Sequence, residues 1–165
     1  MSLRDDAWFE ALFRDHVTAV GRYARRRLDA SDVDDITAET FATAWRRRLD
    51  VPEGAELPWL YRTCGYLIAN HRRAKVPVPV EQVDDAPDDL DPELAVVRDE
   101  QVREALLGLS PRDRQILLLH AWDGLSGDGL AAYLGVTRGG ADAALSRARA
   151  RLREVWGGVQ EPADS

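Results

Sequence analysis

Between residues 6 and 28 the large apolar side chains fall at Phe9, Leu12, Phe13, Val17 and Val20, then Ala24 and Leu28, with charged residues between them. Steps of three and four place them on one side of a helix, so the pattern predicts a first amphipathic helix. Val33, Ile36, Phe41, Ala44 and Trp45 form a second stripe, in a helix that Ser31 is expected to cap and that should end near Leu49. Asp50-Val51-Pro52-Glu53-Gly54 carries turn chemistry, and Pro58 then suits the first turn of a third helix bearing Leu60, Cys64, Leu67, Ile68 and His71. Three such helices predict a small bundle over residues 5–75.

Periodicity then stops. Residues 76–91 open on Val76-Pro77-Val78-Pro79-Val80 and continue through Asp84, Asp85, Asp88 and Asp89, which predicts an acidic flexible linker. Asp91-Pro92 is expected to start a helix through Leu94, Val97, Val102 and Leu106. Ser110-Pro111-Arg112-Asp113 reads as the cap, first-turn proline and third-position carboxylate of the next one. No segment alternates as a strand does. The expected fold class is therefore all-α, with two small helical domains over 5–75 and 92–156 and a tail, 157–165, too short for a further regulatory domain.

Residues 125–153, LSGDGLAAYLGVTRGGADAALSRARARLR, carry the strongest local signal. Ser126 can cap a short helix with Leu130, Ala131 and Leu134 inside; Gly135 supplies the positive φ of a tight exit; Thr137 can cap the helix that follows. This is helix-turn-helix chemistry, which presents the N-terminal half of the second helix, with Thr137, Arg138, Gly140 and Asp142, to a major groove. Arg147 with Arg151, and Arg149 with Arg153, then form two rows suited to phosphates. An arginine run alone is more often a solvated face. The two capped helices around a glycine turn favour DNA.

The net charge of -7 argues against a nucleic-acid ligand until it is divided along the chain. Residues 1–75 hold 13 basic and 12 acidic groups, residues 76–100 hold 1 and 9, and residues 101–165 hold 8 and 8. Both helical segments are thus near neutral and can carry locally segregated charge. Asp32, Asp34, Asp35 and Glu39 crowd the front of the second helix. Dipole complementation explains one or two acids there, at about 0.3–1 kcal/mol each, but four repel one another and point to a basic protein partner. The same helix turns basic at Arg46, Arg47 and Arg48. The third helix interleaves Trp59, Tyr61 and Tyr66 with Arg62, Asn70, Arg72, Arg73 and Lys75, a combination suited to unpaired bases, although Trp59 and Tyr66 also fit a core.

One cysteine, Cys64, excludes an internal disulfide, and His16, His71 and His120 lack zinc-ligand spacing, so no metal or cofactor is expected. No catalytic triad, phosphate loop or carboxylate pair emerges, so neither an enzyme nor a small-molecule substrate is expected. No apolar run is long enough to span a membrane, which makes a reducing cytoplasm the expected compartment. Arginine outnumbers lysine 21 to 1, a bias typical of a GC-rich genome.

Taken in order, four segments resemble an extracytoplasmic-function sigma factor of the sigma-70 family. Residues 13–28 resemble the opening helix of its sigma-2 domain, and DVDDITAETFATAW (32–45) its polymerase-binding DAEDLxQExF stretch. WLYRTCGYLIANHRRAK (59–75) is similar to its minus-10 element helix, and LSPRDRQILLLHAWDGLS (109–126) with the helix-turn-helix to its sigma-4 domain. The resemblance implies that Asp32, Asp34, Asp35, Glu39 and Phe41 dock on the clamp helices of core RNA polymerase. It also implies that the loop 49–57, with Arg46, Arg47, Trp59, Arg62, Tyr66, Asn70, Arg72 and Arg73, handles the minus-10 element of promoter DNA. Thr137, Arg138, Gly140, Asp142, Arg147, Arg149 and Arg151 would meet the minus-35 element, sigma-4 would touch the flap of the second-largest subunit, and an anti-sigma factor would be a partner. Cys64-Gly65-Tyr66 departs from the usual Ala-Arg-Asn, Gly127 and Gly129 fall in a short helix, and Gly140 to Ala144 replace Thr-Val-Lys-Ser-Arg. Two cations fewer and one acid more predict weak minus-35 binding by the second domain alone, with Asp142 left to read a cytosine amino group. Two rival readings are a stand-alone helix-turn-helix regulator and a sigma-like interaction protein with weakened promoter reading.

Overall fold

The computed structural model describes residues 3–75 and 97–160, and every element among them is an α-helix. The chain divides into two compact units, one within Met1–Asp85 and one within Ala86–Ser165. In the first, α1 (Asp6–Arg25), α2 (Ala30–Arg46) and α3 (Glu56–Lys75) pack against one another in all three pairings. Their stripes meet in a core that includes Leu12, Val20, Val33, Phe41, Leu60, Cys64 and Ile68. Ring pairs tie the helices together: Phe13 lies edge-on to Phe41 at 5.0 Å, Phe9 to Trp45 at 5.4 Å, and Tyr23 stacks on Tyr61 at 4.9 Å. Such pairs add about 0.5–1.5 kcal/mol each beyond the buried area. Arg27 covers Tyr23, its guanidinium 3.7 Å from the ring centre, and donates to the Tyr23 carbonyl at 3.1 Å. It follows the end of α1 in a turn whose Arg27 amide donates to the carbonyl of the buried Ala24 at 3.0 Å, which keeps it over the same core.

The second unit holds α4 (Glu100–Leu107), α5 (Pro111–Ala121), α6 (Gly127–Leu134) and α7 (Arg138–Gln160). The long α7 packs on the other three and closes a core of Ala105, Leu106, Ile116, Leu119, Leu130, Ala141, Leu145 and Ala148. Gly108, at the α4–α5 corner, permits this approach, since a Cβ there would lie 2.8 Å from Val155 Cγ1. Arg114 is buried beside it and donates to the carbonyls of Leu106 at 3.0 Å and Leu109 at 3.5 Å. These carbonyls belong to the end of α4 and the turn after it, where helical partners run out.

Several boundaries differ from expectation. α2 begins at Ala30 with the extended Asp29 as its N-cap residue, so Ser31 lies inside the first turn and does not cap. The helix ends at Arg46, and hydrogen-bonded turns fill residues 47–50. The linker 76–91 and the helix start at Asp91-Pro92 lie outside the described residues. Val97, Arg98 and Asp99 are not helical, so the expected continuous helix through Val97 is corrected to one starting at Glu100. Asp99 ends the extended backbone there and accepts from the amides of Gln101 at 2.9 Å and Val102 at 3.3 Å. Ser110 caps α5 as expected, accepting from Asp113 N at 3.2 Å. α7 continues beyond Trp156 through two glycines to Gln160.

Candidate protein and nucleic-acid interfaces

The four acids of α2 divide into two pairs. Asp32 turns back toward α3, its Oδ2 3.2 Å from His71 Nε2, close but too bent for a hydrogen bond. Glu39 pairs with Arg46 at 2.9 Å, seven residues or about two turns along the same face. Asp34 and Asp35 remain exposed, with no ion pair among the described residues. Repulsion along this helix is thus already relieved at both ends, and the unneutralised charge is concentrated on the middle pair. Phe41 is only 2% exposed and packs on Phe13, so its side chain lies in the core and not on the surface of α2.

The three-arginine run also separates. Arg46 belongs to the acidic face through Glu39. Arg47 reaches toward α3, pairing with Asp50 at 3.2 Å and lying 5.7 Å from the Trp59 ring centre. Arg48 folds over Trp45 at 4.3 Å. On α3, Arg62, Tyr66, Asn70 and Arg73 are exposed at steps of four, four and three, which puts them on one face with the half-buried Trp59 at its start. Tyr66 is 66% exposed, and Leu49, on the loop joining α2 to α3, is 85% exposed. Tyr66 is therefore not a core residue. Arg72 is half-buried and falls on the side of Ile68, away from that face. Leu49 opens the loop 49–57 that the resemblance implicates at the minus-10 element, and its exposure is seen only in the structure.

In the second unit, Gly135 exits α6 at φ +70° and Thr137 Oγ1 accepts from Gly140 N at 3.0 Å, which aligns the first turn of α7. Ser126 has the extended backbone of a cap residue but its hydroxyl makes no cap bond. Arg138 leans to Asp128 at 3.6 Å. Two arginines of the α7 rows make contacts within the unit. Arg151 donates to Asp113 Oδ2 at 2.7 Å, a carboxylate 9% exposed on α5. Arg149 donates to His120 Nε2 at 2.8 Å, which requires His120 to carry its proton on Nδ1, where it faces the Leu125 carbonyl at 3.0 Å. Arg151 sits three residues after Ala148 and seven after Ala144, both buried, so the helix turns it toward α5. Arg147 and Arg153 are exposed, with no partner among the described residues.

This division predicts separable effects. Arg151→Ala should destabilise the second unit by about 1–3 kcal/mol, since it leaves a nearly buried carboxylate unpaired. Arg147→Ala should leave the unfolding midpoint unchanged and lower the salt slope of duplex binding by about 0.9, one phosphate contact. Urea unfolding and anisotropy titrations over a salt series check both, and the same loss of slope from both variants would contradict the assignment.

Residues 12–76 match the family description "Sigma-70 region 2" and residues 99–152 match "Sigma-70, region 4". A curated relative from Xanthomonas campestris pv. campestris, described as "Probable RNA polymerase sigma factor RfaY", is 29% identical over 148 residues, covering 83% of this chain and 36% of the relative. The chain thus spans about a third of that relative's length. Among solved structures, CnrH in complex with the cytosolic domain of CnrY shares the fold at TM-score 0.60 and 24% identity, over 93% of this chain and 90% of that one. The sigma factor RpoE in complex with the anti-sigma factor NepR, from Bartonella quintana, shares it at TM-score 0.57 and 20% identity, over 93% and 97%. With both regions matched in order, one to each helical unit, this chain belongs to the sigma-70 family.

Proposed function

We propose that this chain is a sigma factor that joins core RNA polymerase in the cytoplasm and directs it to promoters. The observation that carries this reading is the outer face of the first unit. An unneutralised acidic pair, Asp34 and Asp35, lies on α2, and an exposed Tyr66 stands among Arg62, Asn70 and Arg73 on α3. A tyrosine in water with cations on either side has no packing role to explain it. Stacked against an unpaired base it contributes about 1–3 kcal/mol, which offsets much of the few kcal/mol that unstacking costs. In this reading Asp34 and Asp35 dock on the clamp helices, while Asp32 faces His71 of α3 and Glu39 is paired with Arg46 on the same helix. Arg47, Trp59, Arg62, Tyr66, Asn70 and Arg73 line the minus-10 strand, with the loop 49–57 and Leu49 at the captured base. Thr137 and Gly140 set the pitch of α7, while Arg138, Asp142 and Arg147 meet the minus-35 groove. The chain makes and breaks no bond. The NepR complex supports an anti-sigma factor as a further partner.

The test is run-off transcription by core polymerase on a library of promoter fragments, with and without the purified chain. Discrete start sites that appear only with the chain are expected. Duplex binding without any new transcript would overturn the sigma reading in favour of a stand-alone regulator. The second reading, an interaction protein with weakened promoter reading, draws on the retention of Arg149 and Arg151 by α5. It predicts polymerase binding with no discrete start.

A further inference from the structure

We propose that Asp142 is the specificity-determining residue of the recognition helix, and that it selects a cytosine at one position of the minus-35 element. This rests on the sigma reading above. At 100° per residue, Ala141, Ala144, Leu145 and Ala148 form the buried side of α7, and Gly139, Ala143, Ser146 and Ala150 occupy the opposite, outermost side. Along the first turns of α7 no long side chain stands on this outermost side itself, Arg147 flanking it on the edge opposite Asp142, so a side chain as short as aspartate can reach a base edge.

Asp142 adjoins this outermost side, is exposed, and has no ion pair among the described residues. That is unexpected from local sequence, because Arg138 stands four residues before it, at the spacing of a helical ion pair. The structure turns Arg138 instead to Asp128, and Arg149, on the adjoining row, to His120. The carboxylate is left charged on the surface that approaches a polyanion. It lies five residues into α7, beyond the first turn over which the helix dipole is felt. A carboxylate accepts only, and guanine and thymine present acceptors at its position in the major groove. Adenine offers its amino group next to the N7 acceptor, whereas cytosine offers its amino group with no acceptor on the same base edge. Cytosine is therefore the base it favours.

The experiment uses the full chain with core polymerase and a promoter library randomised through the minus-35 region, reading transcripts by sequencing. The unmodified chain should favour cytosine at one position by about fivefold to tenfold, the lower end of a direct base contact. Asp142→Asn, whose amide can bond both N6 and N7 of adenine, should move that preference to adenine, and Asp142→Ala should abolish the preference at that position. The residue is exposed, so neither variant threatens the fold. Unchanged base preferences in both variants, with transcription intact, would overturn the role of Asp142 alone. Absence of transcripts from the whole library with the unmodified chain would overturn the sigma reading, and the proposal with it.

Discussion

Arg114→Ala is expected to strip the second unit of most of its stability. The residue is 1% exposed, and its guanidinium donates to two carbonyls, at the end of α4 and in the turn that follows. A cation at a helix C-terminus is favourable in itself, and here it also holds the α4–α5 corner against α7 where Gly108 makes room. Truncation removes those donors and leaves a cavity the size of most of an arginine side chain, for a combined cost of about 3–5 kcal/mol. A unit of this size holds a stability near the low end of roughly 5–15 kcal/mol, so most of its margin is lost. Amide hydrogen exchange over residues 100–156 should show protection falling by two orders of magnitude or more. Arg114→Met retains most of the volume and loses the donors, so it should fall between the two. Wild-type protection in Arg114→Ala would mean that the corner is held by packing alone.

Reversing the charge of the middle acids, Asp34→Arg with Asp35→Arg, should weaken core polymerase binding about 100-fold. These two carry the charge that no internal partner neutralises, and like charges brought together at an interface cost several kcal/mol. Both are exposed and lie past the first turn of α2, where the dipole no longer favours acid, so the unfolding midpoint should move little. Reversal of Glu39 is a weaker probe, because Arg46 at 2.9 Å already screens it. Competition binding against the unmodified chain provides the measurement. Equal affinity of the double variant would remove α2 from the docking surface.

Helical periodicity alone was enough to place α1, α3 and the helix-turn-helix, because large apolar residues at steps of three and four have one way to be buried together. It located the ends less well. Ser31 has the chemistry of a cap, yet α2 begins two residues earlier with Asp29 in the extended cap conformation, because α1 already ends at Arg25 and only a short turn joins the two helices. Composition read by segment also separated two near-neutral units from an acidic stretch, and residue order within them carried the family resemblance.

What periodicity and composition could not do was assign the arginines. Read along the chain, a guanidinium looks like a ligand for phosphate wherever it stands. Tertiary packing buried Arg27 under a tyrosine pair and Arg114 under a helix end, gave Arg149 to His120 and Arg151 to Asp113, and left Arg62, Arg147 and Arg153 toward solvent. The helical offset from buried neighbours held part of that answer, since Arg27, Arg114 and Arg151 all fall three or four residues from core positions. The acceptors, however, lie as many as 38 positions away along the chain, as for Asp113 and Arg151. Sequence by itself therefore determined which segments are helical and which family they form. Only the folded structure decided which charges remain for a partner, because neutralisation depends on distance in space and not on order along the chain.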